Sequence, residues 1–394
     1  MSYPAFNPAP GRPPPYLAGR APEQQYLLSG LASLRARNLL QRELVFMAPR
    51  GNGKTALLRW FESVCGQGEY GVDIVWLTPD DIPDIDTLAT RCAPPRRWWQ
   101  VLSDELELDI AGGARLRWQL DNDPGILTEL LIARCHKRPL ALLLDEAHTL
   151  DLQVGRSLLN ASQKIGAQAP FLLVLAGTPG LEYRLNEMNA TFWSRAQKVG
   201  LERLDTASAR VVLVKPFAEA GIDMEEVALD AVVNESQGYP FFLQCWGQAL
   251  TGALREREAA GGVRRRIDGA LVEQARPVFE EERYGHYEIL RGQIQAAGLQ
   301  PLAAAVTRAF GTAEMLEEDQ LDAAICAALQ LSDTEGHEQR MALAGFGYVW
   351  KPPGVVAVWY AGIPSLMQHV WEVEEKKALR RAAALESPPP APAS

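Results

Sequence analysis

The sequence has little that would fix a function by composition. Its 394 residues include five histidines and five cysteines. The cysteines, Cys65, Cys92, Cys135, Cys245 and Cys326, form no C-x-x-C pair and have no histidine at metal-ligand spacing. That excludes a recognisable zinc motif or disulfide framework and leaves reduced, mostly buried thiols. Long apolar runs are missing too: LALLL and FLLVLA stop far short of the roughly 18 residues a membrane helix needs. The proline-rich N-terminus has no apolar core of the kind a secretion signal carries, so a cytoplasmic protein without membrane contact is expected. Positive charge is scarce. A net charge of −10 argues against nucleic-acid binding through overall charge, though a local basic patch stays open.

What is present is an ordinary globular chain, 47% hydrophobic and 22% charged, with room for two or three domains. Residues 1–20 carry so many prolines that an extended arm is expected. A helical apolar pattern over 21–42 leads to the apolar run ELVFM at 43–47, and then to APRGNGKT, Ala48 to Thr55. This stretch matches the phosphate-binding pattern G-x-x-x-x-G-K-[ST] except that alanine stands at the first glycine. A helical pattern follows from Lys54 to about Val64, and VDIVWL, LALLL and FLLVLA supply three more strand-like runs separated by helical segments. Strands alternating with helices imply an α/β fold, a parallel sheet with helices on both faces.

In a phosphate loop the backbone N–H groups converge on phosphate oxygens and the next helix adds its positive end. Pro49, Arg50, Gly51, Asn52 and Gly53 would form that loop, with Lys54, Thr55 and Ala56 in the first helical turn. Lys54 would reach the β and γ phosphates, and the Thr55 hydroxyl would meet Mg²⁺. Ala48 is tolerable if its φ is negative, since only a left-handed backbone penalises a Cβ. The second motif is LALLLDEAH, which puts Asp145 and Glu146 at the C-terminal end of a buried strand, where parallel sheets bind ligands. Asp145 suits Mg²⁺, and Glu146 suits activation of a water. His148 and His286 have no metal-binding neighbour and receive no role.

Together these motifs resemble those of AAA+ ATPases, in the branch that includes origin-recognition-like initiators and STAND signal-transduction ATPases, over about residues 15–375. The resemblance implies a P-loop NTPase core at 21–205, a helical lid at 206–256, a linker helix at 257–289 and a winged-helix domain at 290–375. The tail at 376–394, rich in alanine and proline, cannot bury a core and is expected to be disordered. The resemblance further implies that Gly19 and Arg20, in YLAGR, help hold adenine, and that Thr178, in AGTPGLE, is a polar sensor near the γ-phosphate. An arginine finger reaching a neighbouring subunit falls on Arg195, with Arg203 as second choice. Gly238, Tyr239 and Pro240 match the GxP pattern of STAND proteins, where many AAA+ lids carry an arginine instead. Losing that cation would weaken hydrolysis more than binding, which implies a slow nucleotide-gated switch.

For the C-terminal domain, YVWK, a PPG turn and VVAVWY suggest a β-hairpin closing three helices. About 4 Arg plus Lys stand against about 11 Asp plus Glu over 290–375, so DNA is possible but not favoured. Arg340 and His337 are the cations that a recognition helix there would offer. Trp350, Trp359 and Tyr360 read as wing core or partner surface, and RRR at 264–266 as a solvated helix end. The expected function is a Mg²⁺-dependent, slow ATPase that controls a protein partner, with homo-oligomerisation possible. The alternatives are an ATP-gated DNA-binding initiator or transposition helper, and a scaffold with ATP as a structural ligand.

Overall fold

The computed structural model describes residues 3–9, 13–39, 42–66, 71–92, 125–261 and 265–370. Two compact units divide the chain, Met1–Arg283 and Tyr284–Ser394. No helix among the described residues is long and apolar enough to cross a membrane.

The first unit is built on five parallel strands: β1 (Leu44–Met47), β2 (Asp73–Leu77), β3 (Leu140–Leu144), β4 (Phe171–Gly177) and β5 (Gln197–Gly200). Their order is β2-β3-β4-β1-β5. The central strands are buried on both faces, and for that reason read as unbroken apolar runs. Side chains still alternate between two cores. Val45, Met47, Leu142, Leu144, Leu173 and Leu175 join one, and Leu44, Phe46, Ala141, Leu143, Leu172 and Val174 the other. Helices α1 (Ala21–Arg35) and α2 (Lys54–Gly66) contribute Leu27, Leu31, Leu57 and Phe61 to the second core. The first core takes α3 (Ile85–Cys92), α4 (Gly125–Lys137), α5 (Leu152–Gly166) and α6 (Leu181–Arg195).

The sequence reading placed no strand between β4 and the lid, and so missed β5. QKVG pairs only with β1, and just Val199 of its four residues is buried. An edge strand facing solvent needs no apolar run.

Three helices follow, α7 (Thr206–Glu219), α8 (Glu226–Ser236) and α9 (Pro240–Ala259), then a long helix α10 (Gly269–Ala296). Short strands β6 (Asp223–Met224) and β7 (Arg266–Ile267) pair in parallel between them. The beginning of α10 is more than a connection: Leu271, Ala275 and Phe279 are buried, and the Phe279 ring stacks on Trp246 of α9 at 4.2 Å. Arg265 and Arg266 are engaged within the unit, with Glu258 and Glu225 respectively, each at 3.1 Å, while Arg264 lies outside the described residues.

The second unit contains α11 (Gln300–Phe310), β8 (Met315–Glu317), α12 (Glu318–Leu329), α13 (Asp333–Gly345), β9 (Val349–Trp350) and β10 (Val358–Ala361). Besides the hairpin read from sequence there is a third strand, giving an antiparallel sheet in the order β8-β10-β9. Trp350 and Trp359 are buried and belong to the core. Arg340 is not available as an exposed recognition cation. It is fully buried (0% exposed), bonded to Asp322 at 2.5 Å, Glu318 at 2.6 Å and His337 Nδ1 at 2.8 Å, with its guanidinium 4.7 Å from the Trp359 ring centre. The tail at 376–394 lies outside the described residues.

Candidate functional site

Strand order assembles the site. Because β4 lies between β1 and β3, the loop after β1, the Asp145–Glu146 pair after β3 and Thr178 after β4 leave the same edge of the sheet side by side. The loop begins at buried Ala48, whose N–H donates to Gly177 O at 3.3 Å. Ala48 is not among the non-glycine residues with positive φ, so its Cβ is unstrained, whereas Gly51 and Gly53 have φ of 84° and 90°. The loop runs into the first turn of α2, where Lys54, Thr55 and Ala56 lie.

Lys54 is buried, and its Nζ donates to Ala48 O at 2.8 Å and Pro49 O at 3.0 Å. Burial pushes the ammonium down to about 8, with Glu146 and Asp145 acting in the opposite direction. Thr55 Oγ1 donates to Asp145 Oδ2 at 2.6 Å, joining two motifs 90 residues apart. Asp145 is itself buried, which raises its pKa against the pull of the Thr55 bond. Its other oxygen accepts the Glu146 N–H at 3.0 Å. Glu146 has a left-handed backbone, φ 53°, and a side chain 43% exposed, so its carboxylate can meet solvent. Thr178 is buried at the end of β4.

His148, given no role from sequence, lies inside this group. Its Nδ1 accepts the Thr178 N–H at 3.4 Å and stands 3.5 Å from Glu146 Oε2. Burial, reinforced by Lys54 and Arg50, pushes the imidazole down to about 3, so the ring is neutral at neutral pH. It connects the acidic pair to Thr178. Its place three residues after Asp145 was the available signal.

Arg20 takes backbone partners. Its buried Nη2 donates to Asn52 O at 2.9 Å and Glu202 O at 2.7 Å, and Nη1 lies 3.5 Å from Glu23. Gly19 abuts Ser208 of α7. Asn52 in turn donates through Nδ2 to Leu201 O at 2.9 Å, so the loop is tied to the chain just after β5.

The Gly238–Pro240 turn meets the loop as well. Tyr239 is buried with its ring against Gly51, and the Phe241 N–H donates to Gly51 O at 3.1 Å. Gly238 O accepts the Leu204 N–H at 2.8 Å, and Pro240 is the first residue of α9. Arg203 also reaches this turn, its Nη1 donating to Gln237 O at 3.3 Å. Arg195 stands apart: it ends α6, is exposed, and its side chain makes no hydrogen bond or ion pair among the described residues. Residues 48–56, 145, 146, 178 and 238–240 are therefore assembled together, and Arg195 is not.

No protein-family model and no curated protein matches the sequence. Solved structures do match. The Aeropyrum pernix ORC2 protein, in ADPNP–ADP complexes, is 17% identical with a TM-score of 0.55 over 94% of this chain and 98% of its own. A Walker-type ATPase of Pyrococcus abyssi is 14% identical with a TM-score of 0.57 over 90% and 97%. Cdc6p from Pyrobaculum aerophilum is 14% identical with a TM-score of 0.50 over 94% and 98%. The chain has the P-loop α/β fold of the AAA+ type. At these identities the likeness concerns the fold of the AAA+-type core and the order of its elements, and the chemistry rests on the side chains described above.

Proposed function

We propose that this chain is a Mg²⁺-dependent ATP-binding protein and slow ATPase, a nucleotide-gated switch of the origin-recognition-like AAA+ branch. It would act on a protein partner through its C-terminal unit, read as a winged helix at 290–375, with the core at 21–205, a lid at 206–256 and a linker at 257–289. The observation that carries this is the 2.6 Å bond between Thr55 and Asp145 beside the buried cation of Lys54.

The residues fit the ligand chemically. An added Cβ at Gly53 would meet nothing within 4 Å, so the loop backbone beside the first turn of α2 is open to a ligand. A hydroxyl and a carboxylate in contact are the hard oxygen donors that Mg²⁺ prefers. Lys54 and the loop N–H groups would bind the β and γ phosphates, with Thr55 and Asp145 holding the metal. Bound Mg²⁺ would supply neutralisation of phosphate charge. Glu146 would accept the proton of the attacking water, and His148 with Thr178 would fix the edge of the site facing it. An exposed arginine at the end of α6 suits a finger acting on a second protomer, so Arg195 is favoured over Arg203, which is engaged in its own turn. Gly238, Tyr239 and Pro240 match a GxP pattern rather than a lid arginine that would speed hydrolysis, which favours slow turnover.

The DNA-binding alternative is weakened because Arg340 is bound by Asp322 and Glu318 and is withdrawn from any phosphate. Lys54→Ala should abolish ATP binding, measured by calorimetry, while Glu146→Gln should keep binding and lose turnover. Equal ATP affinity in wild type and Lys54→Ala would overturn the reading.

A further inference from the structure

The N-terminal segment is fastened at two ends to different parts of the first unit. Phe6 is buried, with its ring 5.1 Å from Phe217 of α7. It lies so close to Gly247 of α9 that a Cβ there would stand 2.3 Å from the ring, so this slot exists only because residue 247 has no side chain. Arg255 of α9 lies over the Tyr3 ring at 5.0 Å, and Lys215 of α7 lies over Tyr16 at 3.8 Å. Both aromatic contacts are with the same pair of helices. At the other end, Arg20 joins the carbonyls of Asn52 and Glu202 through one nitrogen, at 2.9 and 2.7 Å. Asn52 stands between the two glycines of the loop, so its carbonyl is the fixed point in the most pliable part of the motif.

We propose that residues 3–9 and 13–20 form a strap that couples helices α7 and α9 to the phosphate-loop motif. Phe6 is the helix anchor, and Arg20 is a positioning residue for the loop. Among the described residues Pro4, Pro8, Pro13, Pro14 and Pro15 suit this, because their ring-locked φ angles limit slack where they lie. Movement of α7 or α9 shifts the register of the segment, and Arg20 transmits the shift to the Asn52 carbonyl. Nucleotide release is then set jointly by helices and loop rather than by the loop alone, a consequence that rests on the nucleotide reading above.

The test uses the full chain with Phe6→Ala, Gly247→Ala, Arg20→Ala and the Phe6→Ala/Arg20→Ala pair. Gly247→Ala is the control for folding, since alanine favours the helix while its Cβ expels the Phe6 ring. Release of a fluorescent N-methylanthraniloyl-ATP is followed by stopped flow, and backbone hydrogen exchange is followed without nucleotide. Phe6→Ala and Gly247→Ala should each speed release roughly tenfold and raise exchange at Gly51–Gly53. Adding Phe6→Ala to Arg20→Ala should change neither further, the signature of one shared path. Release unchanged in both single variants, or exchange raised only in α7 and α9, overturns the strap. If wild type does not bind the analogue, the nucleotide reading falls, and the exchange measurement alone decides whether the strap exists.

Discussion

Replacing Gly51 by alanine probes the junction between the loop and the turn that starts α9. At φ +84°, an L side chain costs roughly 1–2 kcal/mol. The new Cβ would also lie 2.7, 2.8 and 2.9 Å from Oη, Cε1 and Cζ of Tyr239, all inside contact distance. That ring cannot swing away easily, because it is buried and packs on Phe242 at 4.8 Å. Overpacking of this kind costs about 1–3 kcal/mol, so the two effects together come to about 2–5 kcal/mol. Urea unfolding measures the stability, and calorimetry measures ATP affinity. The two effects can be separated. Tyr239→Phe keeps Cε1 and Cζ in place and should not rescue Gly51→Ala. Tyr239→Leu removes them and should recover about 1–3 kcal/mol in a double-mutant cycle, leaving the backbone part. A Gly51→Ala protein with unchanged unfolding midpoint and ATP affinity would refute the proposed junction.

Arg340→Ala should destabilise the second unit by roughly 3 kcal/mol, the lower end for a broken buried pair because Glu318 and Asp322 are about a quarter exposed. Thermal unfolding reads this, and retention on DNA should not change. Burial pushes the Tyr348 hydroxyl up to about 12 from 10.0, with the Thr307 hydrogen bond opposing. A raised folded value means that the stability is complete below pH 10 and is lost as pH climbs to about 12, a loss on the order of 3 kcal/mol. Ultraviolet absorbance titration beside unfolding curves tests it, and ionisation at the ordinary tyrosine value in the folded chain would contradict it. Asp145→Asn can keep its carbonyl on the Glu146 N–H while its amide N–H donates to the Thr55 hydroxyl, so both contacts survive without the charge. Stability should hold within about 1 kcal/mol while Mg²⁺ dependence of ATP binding is lost.

Strands β1 to β4 were legible because burial on both faces forces unbroken apolar sequence, and APRGNGKT and LALLLDEAH mark where two of them end. β5 and β8 were not legible. Gln197 and Lys198 satisfy an edge strand without apolar character, and Met315–Glu317 is too short to carry a pattern. The residue types of the site were also legible, but not who touches whom. Arg20 illustrates the limit: its partners are the backbone carbonyls of Asn52 and Glu202, and a carbonyl leaves no mark on residue identity. Arg340 illustrates it differently. A charged residue on a helix reads as exposed, yet two carboxylates from α12 meet it in the interior.

The bonds within the site bear on how a phosphate would bind. Lys54 Nζ already has two carbonyl partners and Thr55 Oγ1 already has a carboxylate, so on the nucleotide reading an incoming phosphate and metal would exchange hydrogen bonds rather than add them. The net gain from each exchange is therefore the difference between a charge-assisted bond and the bond it replaces, smaller than either alone. The two exchanges are also unequal. Ala48 is held by Gly177, so the carbonyl side of the loop stays with the sheet, while Gly51 and Gly53 have the backbone freedom to turn their N–H groups. Adjustment must then fall on the stretch from Gly51 to Gly53, where Tyr239 and Arg20 make contact from opposite ends of the first unit's sequence. On the nucleotide reading, control over the candidate site would then act through Gly51–Gly53, the stretch that Tyr239 and Arg20 touch.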